Sequence, residues 1–311
     1  MFCLSGAASA QTVLKIGYAL APNSHYGAGA TAMGDELAKR TNGRFKLAHY
    51  PSSQLGGERE MIESVQLGTL DLALTSSGPV PGFVPETGIV DIPFLFRDSR
   101  HARDVLDGPI GQELLARFPA KNLIGLAWGE QGFRHLTNSR RSVGNPEDMK
   151  GLKLRTMENP VHILAFKTLG AAPTPMAWPE VITSLQQGAI DGQENPISVI
   201  TSAKLYQVQK YLTLTRHVYS PAVFILSPKI YSALPEADKR AFVESARAGA
   251  AAMRRFVDEL EQKGVEDLKA QGMQVVTRID TAKFQANLAP AYAEYAKKYG
   301  QANIDRIRNY K

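Results

Sequence analysis

Two stretches of this chain, EMIESVQLGTLD at 60–71 and EVITSLQQGAID at 180–191, match each other without a gap. They share Glu, Ile, Ser, Gln, Gly and Asp at the same spacing, and each reads as an amphipathic helix closed by a glycine. The Asp of each copy falls just inside a short strand after that cap. Any amphipathic helix with a glycine cap looks somewhat like this; the alternative is two lobes built on one helix–glycine–strand unit. The surrounding pattern is the same alternation. It predicts strands at 13–20, 45–50 and 70–75 and helices at 29–40 and 58–67, then a strand at 152–156, a helix at 161–169, a helix from Pro179 to Gly188 and a strand at 189–191. Such alternation argues for an α/β fold with mainly parallel pairing. A chain of 311 residues has room for two ordinary domains or one large α/β unit.

The last third changes character. Residues 235–270 read as nearly continuous helix, with Phe242, Ala246, Met253, Phe256, Val257 and Leu260 on a 3.6-residue period. Some 35 residues of helix reach roughly 50 Å, more than one small domain is wide. Such a helix is expected to lie across two lobes, with Gly249 and Gly264 as points where it bends or breaks. Helical segments at 281–299 and 302–309 complete the chain.

Composition removes several classes of function. The formal charge of +6 comes from 36 basic and 30 acidic residues that are scattered rather than striped, which argues against nucleic acid as a partner. A mild positive field suits an anionic small molecule. No run approaches the roughly 18–20 apolar residues of a membrane span. The single cysteine, Cys3, lies in MFCLSGAASAQ, whose Ala8-Ser9-Ala10 is a pattern that signal peptidase accepts. Residues 1–10 therefore read as the tail of an export signal, truncated here, with a flexible terminus as the plain alternative. Cleavage after Ala10 leaves no cysteine, which fits an oxidising compartment.

The six histidines show no paired metal spacing, and no HExxH or CxxC occurs, so no metal site is expected. No GxSxG elbow and no GxxxxGK[ST] loop are present. Gly27-Ala28-Gly29-Ala30-Thr31-Ala32 fits a loose dinucleotide fingerprint, but Pro22–Tyr26 intervene after the strand and the next strand ends without the ribose-binding acid. These glycines read instead as a close-packed helix start, and no cofactor is expected.

In Leu152-Lys153-Leu154-Arg155 the leucines share one face and the cations the other. Arg155 lies near the strand's carboxyl end, where open α/β sheets place ligands. A guanidinium there holds a carboxylate through two parallel hydrogen bonds. A surface or salt-bridged arginine fits the same spacing. Arg134 offers a second donor or a solvated loop residue, and Trp178 a stacking wall or ordinary core. Gln193 and Asn195, in QQGAIDGQENP, supply neutral amides. No acid has an evident base or nucleophile beside it, so the pattern describes a binding cleft better than a reaction centre. An α/β enzyme acting on a small carboxylic acid, a hydro-lyase or a dinucleotide-dependent dehydrogenase, is the rival reading.

GLKLR (151–155), GAAPTPMAWPEVITSLQQGAIDGQENP (170–196) and YPSSQLGGERE (50–60) resemble the DctP-type solute-binding proteins of TRAP transporters, tripartite ATP-independent periplasmic carriers of organic acids. The resemblance covers nearly the whole chain after residue 10. It implies a two-lobed periplasmic-binding-protein architecture, with a long C-terminal helix spanning both lobes and the ligand between them. The implied division is 11–131 with about 221–260 as the first lobe, and 132–220 with about 261–311 as the second. The implied function is a periplasmic receptor, not an enzyme, that binds a dicarboxylate, a keto or hydroxy acid or a sugar acid and delivers it to the small and large TRAP permease subunits. The family's carboxylate-binding arginine falls on Arg155, its companion amide on Asn195, a second arginine on Arg134, the aromatic wall on Trp178 and a further contact on Tyr219. Sialic-acid-binding members carry an acid where this chain has Thr75-Ser76-Ser77, which points to a smaller acid; Ser76 then faces the ligand. Tyr26 and His25 are placed on the opposite wall by position alone. Asp71 and Asp191 are expected to be structural, and Glu194 to support the hinge.

Overall fold

The computed structural model describes residues 11–311, so the expected signal segment, 1–10, lies outside the described residues. Ten strands form the sheet: β1 (Thr12–Tyr18), β2 (Phe45–Tyr50), β3 (Leu72–Ser76), β4 (Ile124–Asn138), β5 (Lys153–Thr156), β6 (Ala172–Pro175), β7 (Gly192–Pro196), β8 (Tyr211–Thr213), β9 (Tyr219–Leu226) and β10 (Gln274–Val276). Their order is β2-β1-β3-β9-β4-β7-β5-β6, with β8 pairing both β4 and β10.

Pairing is parallel on both flanks, where helices cross over between β1, β2 and β3 and between β5, β6 and β7. The expected mainly parallel sheet is corrected in the centre, where β9 and β4 run antiparallel to their neighbours. β9 and the first part of β4, up to Gly129, are largely apolar or small, the rest of β4 is mostly polar, and both strands are buried along most of their length. The fifteen-residue β4 is shared: residues up to Phe133 pair with β9, and Arg134–Asn138 pair with β7 and β8. β4 is therefore the strand through which the sheet passes from one half of the molecule to the other. Where it passes between them, Glu130 faces Pro221 and Gly132 faces Ser220, leaving Gln131 as the extra residue of a β-bulge. Pro221 has no N–H to give the ladder, so regular pairing fails there.

The matched segments are a structural repeat. Gly68 and Gly188 take left-handed φ of 74° and 68°, ending helices Glu58–Leu67 and Trp178–Gln186. Thr69 and Ala189 N–H then donate back to Ser64 and Ser184 carbonyls at 2.9 and 3.0 Å. Asp71 accepts from the Lys15 N–H of β1 at 2.8 Å, and Asp191 from the Lys153 N–H of β5 at 2.9 Å. Both aspartates pin the neighbouring parallel strand, as expected of structural residues.

Helix Glu236–Ala270 is continuous over 35 residues. It packs on helix His25–Arg40 and β4, then on helix Ile197–Ser202 and β10, and so reaches both halves. Gly249 and Gly264 do not break it, contrary to expectation; they are points of close approach. A Cβ on Gly249 would lie 2.7 Å from the Gly29 carbonyl oxygen, and one on Gly264 would lie 2.5 Å from Ile197 Cγ2. The final helices are three, Thr281–Asn287, Ala289–Tyr299 and Gln301–Arg308, because Pro290 starts a new one. They lie along both halves: Tyr295 donates to the Val161 carbonyl at 2.7 Å and Arg306 pairs with Glu113 at 2.6 Å. No helix among the described residues is long and apolar enough to cross a membrane.

Candidate functional site

The carboxyl ends of β3, β5 and β7 converge between the two halves on a small cavity of about 30 Å³. One side is built from the second half. Arg155, the third residue of β5, is only 4% exposed, and its Nε and Nη2 both donate to the Met176 carbonyl, at 2.9 and 2.7 Å. The guanidinium carbon stands 5.9 Å from the Trp178 ring centre. Among the described residues no carboxylate lies within ion-pairing distance of Arg155. Burial, with the nearby Arg134 charge, lowers it to about 10, so it stays charged at neutral pH but poorly solvated. A buried cation without an anion is costly, and a bound carboxylate removes that cost. Asn195, on β7, lines the cavity beside it, its amide donating to Gln193 Oε1 at 2.5 Å.

The facing side comes from the first half. Tyr26 lies in the first turn of its helix, and its hydroxyl donates to Glu58 Oε1 at 2.9 Å. Glu58 is the first residue of helix Glu58–Leu67; it accepts from the Ser76 N–H at 2.7 Å and from the Ser76 hydroxyl. Gln131 donates through Nε2 to Tyr26 Oη, while its Oε1 is buried without a partner among the described residues. The bulge of β4 thus delivers an unsatisfied acceptor to the cavity. Glu58 and Trp178 occupy equivalent positions of the two repeats, each the first residue of its helix. Ala19, Leu20, Met157 and Val199 supply the apolar remainder of the lining.

Of the residues expected at the site, Arg155, Asn195, Trp178, Ser76 and Tyr26 meet around this cavity. Arg134, Tyr219 and His25 do not line it. Arg134 is fully buried and occupied by Glu194, Nη2 to Oε1 at 2.8 Å, with His217 Nε2 3.0 Å from the same carboxylate. Burial alone raises the Glu194 carboxyl, but the Arg134 guanidinium, helped by His217, holds it well below the usual range. Tyr219 packs edge-on against Phe96 and Phe133 in the core. His25 packs against Tyr26 and Phe256, with neither ring nitrogen bonded among the described residues. Sequence reasoning missed Glu58, Gln131 and Met157. The equivalence of Glu58 with Trp178 across the repeat was a signal available for the first.

The chain matches the family model DctP, bacterial extracellular solute-binding protein family 7, over residues 16–298. A solute-binding protein of Verminephrobacter eiseniae is 56% identical over 302 residues, covering 97% of this chain and 90% of its own. The crystal structure of a TRAP periplasmic solute-binding protein from a Polaromonas species, bound to D-erythronate, superposes with a TM-score of 0.96 at 58% identity, covering 97% and 99% of the two chains. The sugar-acid-binding protein of Advenella mimigardefordensis in complex with galactonate superposes at 0.92 with 34% identity, covering 96% and 97%.

Proposed function

Since this chain belongs to the DctP family of bacterial extracellular solute-binding proteins, transport receptors rather than enzymes, we propose that it closes on a small hydroxylated monocarboxylate and hands it to a TRAP permease. The observation that carries this reading is Arg155: buried, charged and unpaired at the wall of an interlobe cavity. Its guanidinium takes the carboxylate, with the Asn195 amide beside it and Trp178 stacked against the pair. Each charge-assisted hydrogen bond contributes on the order of 1.5–3 kcal/mol.

The facing wall reads hydroxyls. Gln131 Oε1 needs a donor, and the Glu58 carboxylate accepts from any hydroxyl brought near it. The same carboxylate repels a second negative charge, so a diacid is disfavoured. Two of the similar structures carry D-erythronate and galactonate, which are polyhydroxy monocarboxylates of this kind. Within the family's transport scheme the receptor works in the periplasm, after export directed by a signal at its N-terminus, and docks on the small and large permease subunits.

A thermal-shift series with D-erythronate, galactonate and succinate tests the reading. A ligand at 100 times its dissociation constant adds about 2.7 kcal/mol to stability. The hydroxy acids are expected to raise the melting temperature of the wild type and succinate to leave it unchanged. Arg155→Ala is expected to abolish the response while the protein stays folded; a full response in that variant refutes the site.

A further inference from the structure

The apolar lining of the cavity consists of Ala19, Leu20, Met157, Trp178 and Val199. Four of them are held by the core: Ala19, Leu20 and Val199 belong to core clusters and Trp178 packs on three of them. Met157 is only 6% exposed, yet it joins none of the core clusters. It lies two residues beyond Arg155, so in extended chain both side chains leave the same side, about 6–7 Å apart along the backbone. From there the side chain crosses to the first half: Sδ lies 3.5 Å from Ser76 Oγ, and a Cβ on Gly78 would stand 2.5 Å from both Sδ and Cε.

From this placement we infer that Met157, seated on Gly78, sets the length of acid on which the cleft can close, favouring a chain of erythronate size over a six-carbon one. The inference rests on the carboxylate reading of Arg155. A ligand gripped there extends along the cleft toward the Met157 side chain. The other apolar walls are backed by packed core and cannot yield without repacking it. Met157 is unbranched, has three rotatable bonds and rests on Gly78 and Ser76 rather than on a core cluster, so it is the wall whose position the sequence can tune. Gly78 is part of the gauge, because an added methyl there drives the thioether back into the cavity.

The test measures affinities for D-erythronate and D-galactonate by titration calorimetry in the wild type, Met157→Ala, Met157→Leu and Gly78→Ala, each shown to be folded by its melting curve. The wild type is expected to favour erythronate by at least about tenfold, a difference of about 1.4 kcal/mol. Met157→Ala is expected to shrink or reverse that ratio by about tenfold, Met157→Leu to keep it, and Gly78→Ala to weaken erythronate. A wild type that binds erythronate while Met157→Ala leaves the ratio within twofold overturns the gauge and leaves the carboxylate reading intact. Equal wild-type affinity for both acids overturns it as well. A wild type that binds neither acid overturns both.

Discussion

At the residue scale, two arginines read alike in the sequence and do different work. Arg155 is buried and unpaired; Arg134 is buried and fully engaged by Glu194 and its carbonyl. Removing Arg134 strands a carboxylate that has 0% exposure, a change that costs about 3–5 kcal/mol in buried pairs. Arg134→Ala is therefore expected to lose that much stability without any ligand present, read by urea denaturation, and a loss below 1 kcal/mol would show that the pair is not a buried one. The contrast was only half legible. GLKLR put Arg155 on the face of its strand opposite the two leucines, because an alternating strand fixes which face each side chain takes. Arg134's partner is sixty positions away, and only the antiparallel register of β4 on β7 brings Glu194 to it. Gln131 was illegible for the same reason: its aim depends on a bulge caused by Pro221 on a strand far along the chain.

At the element scale, the helices were the most legible parts, since 3.6-residue periodicity and glycine caps are local signals. Helix Glu58–Leu67 and strand β2 fall where the pattern put them. The strand after the second repeat does not: β7 occupies Gly192–Pro196 rather than 189–191, so the polar GQENP is the strand. Its polar side chains are buried by β4 and the cleft, a tertiary cause that no propensity carries. Gly249 supplies a prediction at this scale. In an exposed helix Gly→Ala gains up to about 1 kcal/mol. Here the added methyl meets the Gly29 carbonyl at 2.7 Å and Phe224 Cζ at 2.8 Å. Gly249→Ala is expected to destabilise by about 1–3 kcal/mol in chemical denaturation. A gain in stability would mean that the two helices have room to spare.

At the scale of the whole molecule, buried histidines set the response to acid. Burial lowers His25, His135 and His162 to about 3 each, from 6.5 when free. Their contribution is full above about pH 6.5 and is lost as the pH falls from there toward 3, because only the unfolded chain takes the protons. Asp91, at a junction between the halves, accepts from Ser77 and Asn159 at 2.7 and 2.8 Å and opposes this. Burial raises it to about 7 against those two hydrogen bonds, so its contribution is full below 3.8 and is lost as the pH rises through 7. Each imidazole costs about 2 kcal/mol at pH 5, and three outweigh one carboxyl. The melting temperature is expected to fall between pH 7.5 and pH 5, and His25→Phe to make the fall shallower. A flat profile would show that the imidazoles reach solvent protons in the folded state.

The repeat has one more consequence. Positions 58 and 178 are the same position of the same unit, yet one carries Glu and the other Trp, and both meet the cavity. Two copies of one surface therefore face each other with opposite tastes, and the grip has a direction. On the proposed reading, a solute with a carboxylate head and a hydroxylated tail is expected to satisfy it, and a molecule with two identical ends to present one of them to the Glu58 side whichever way round it enters.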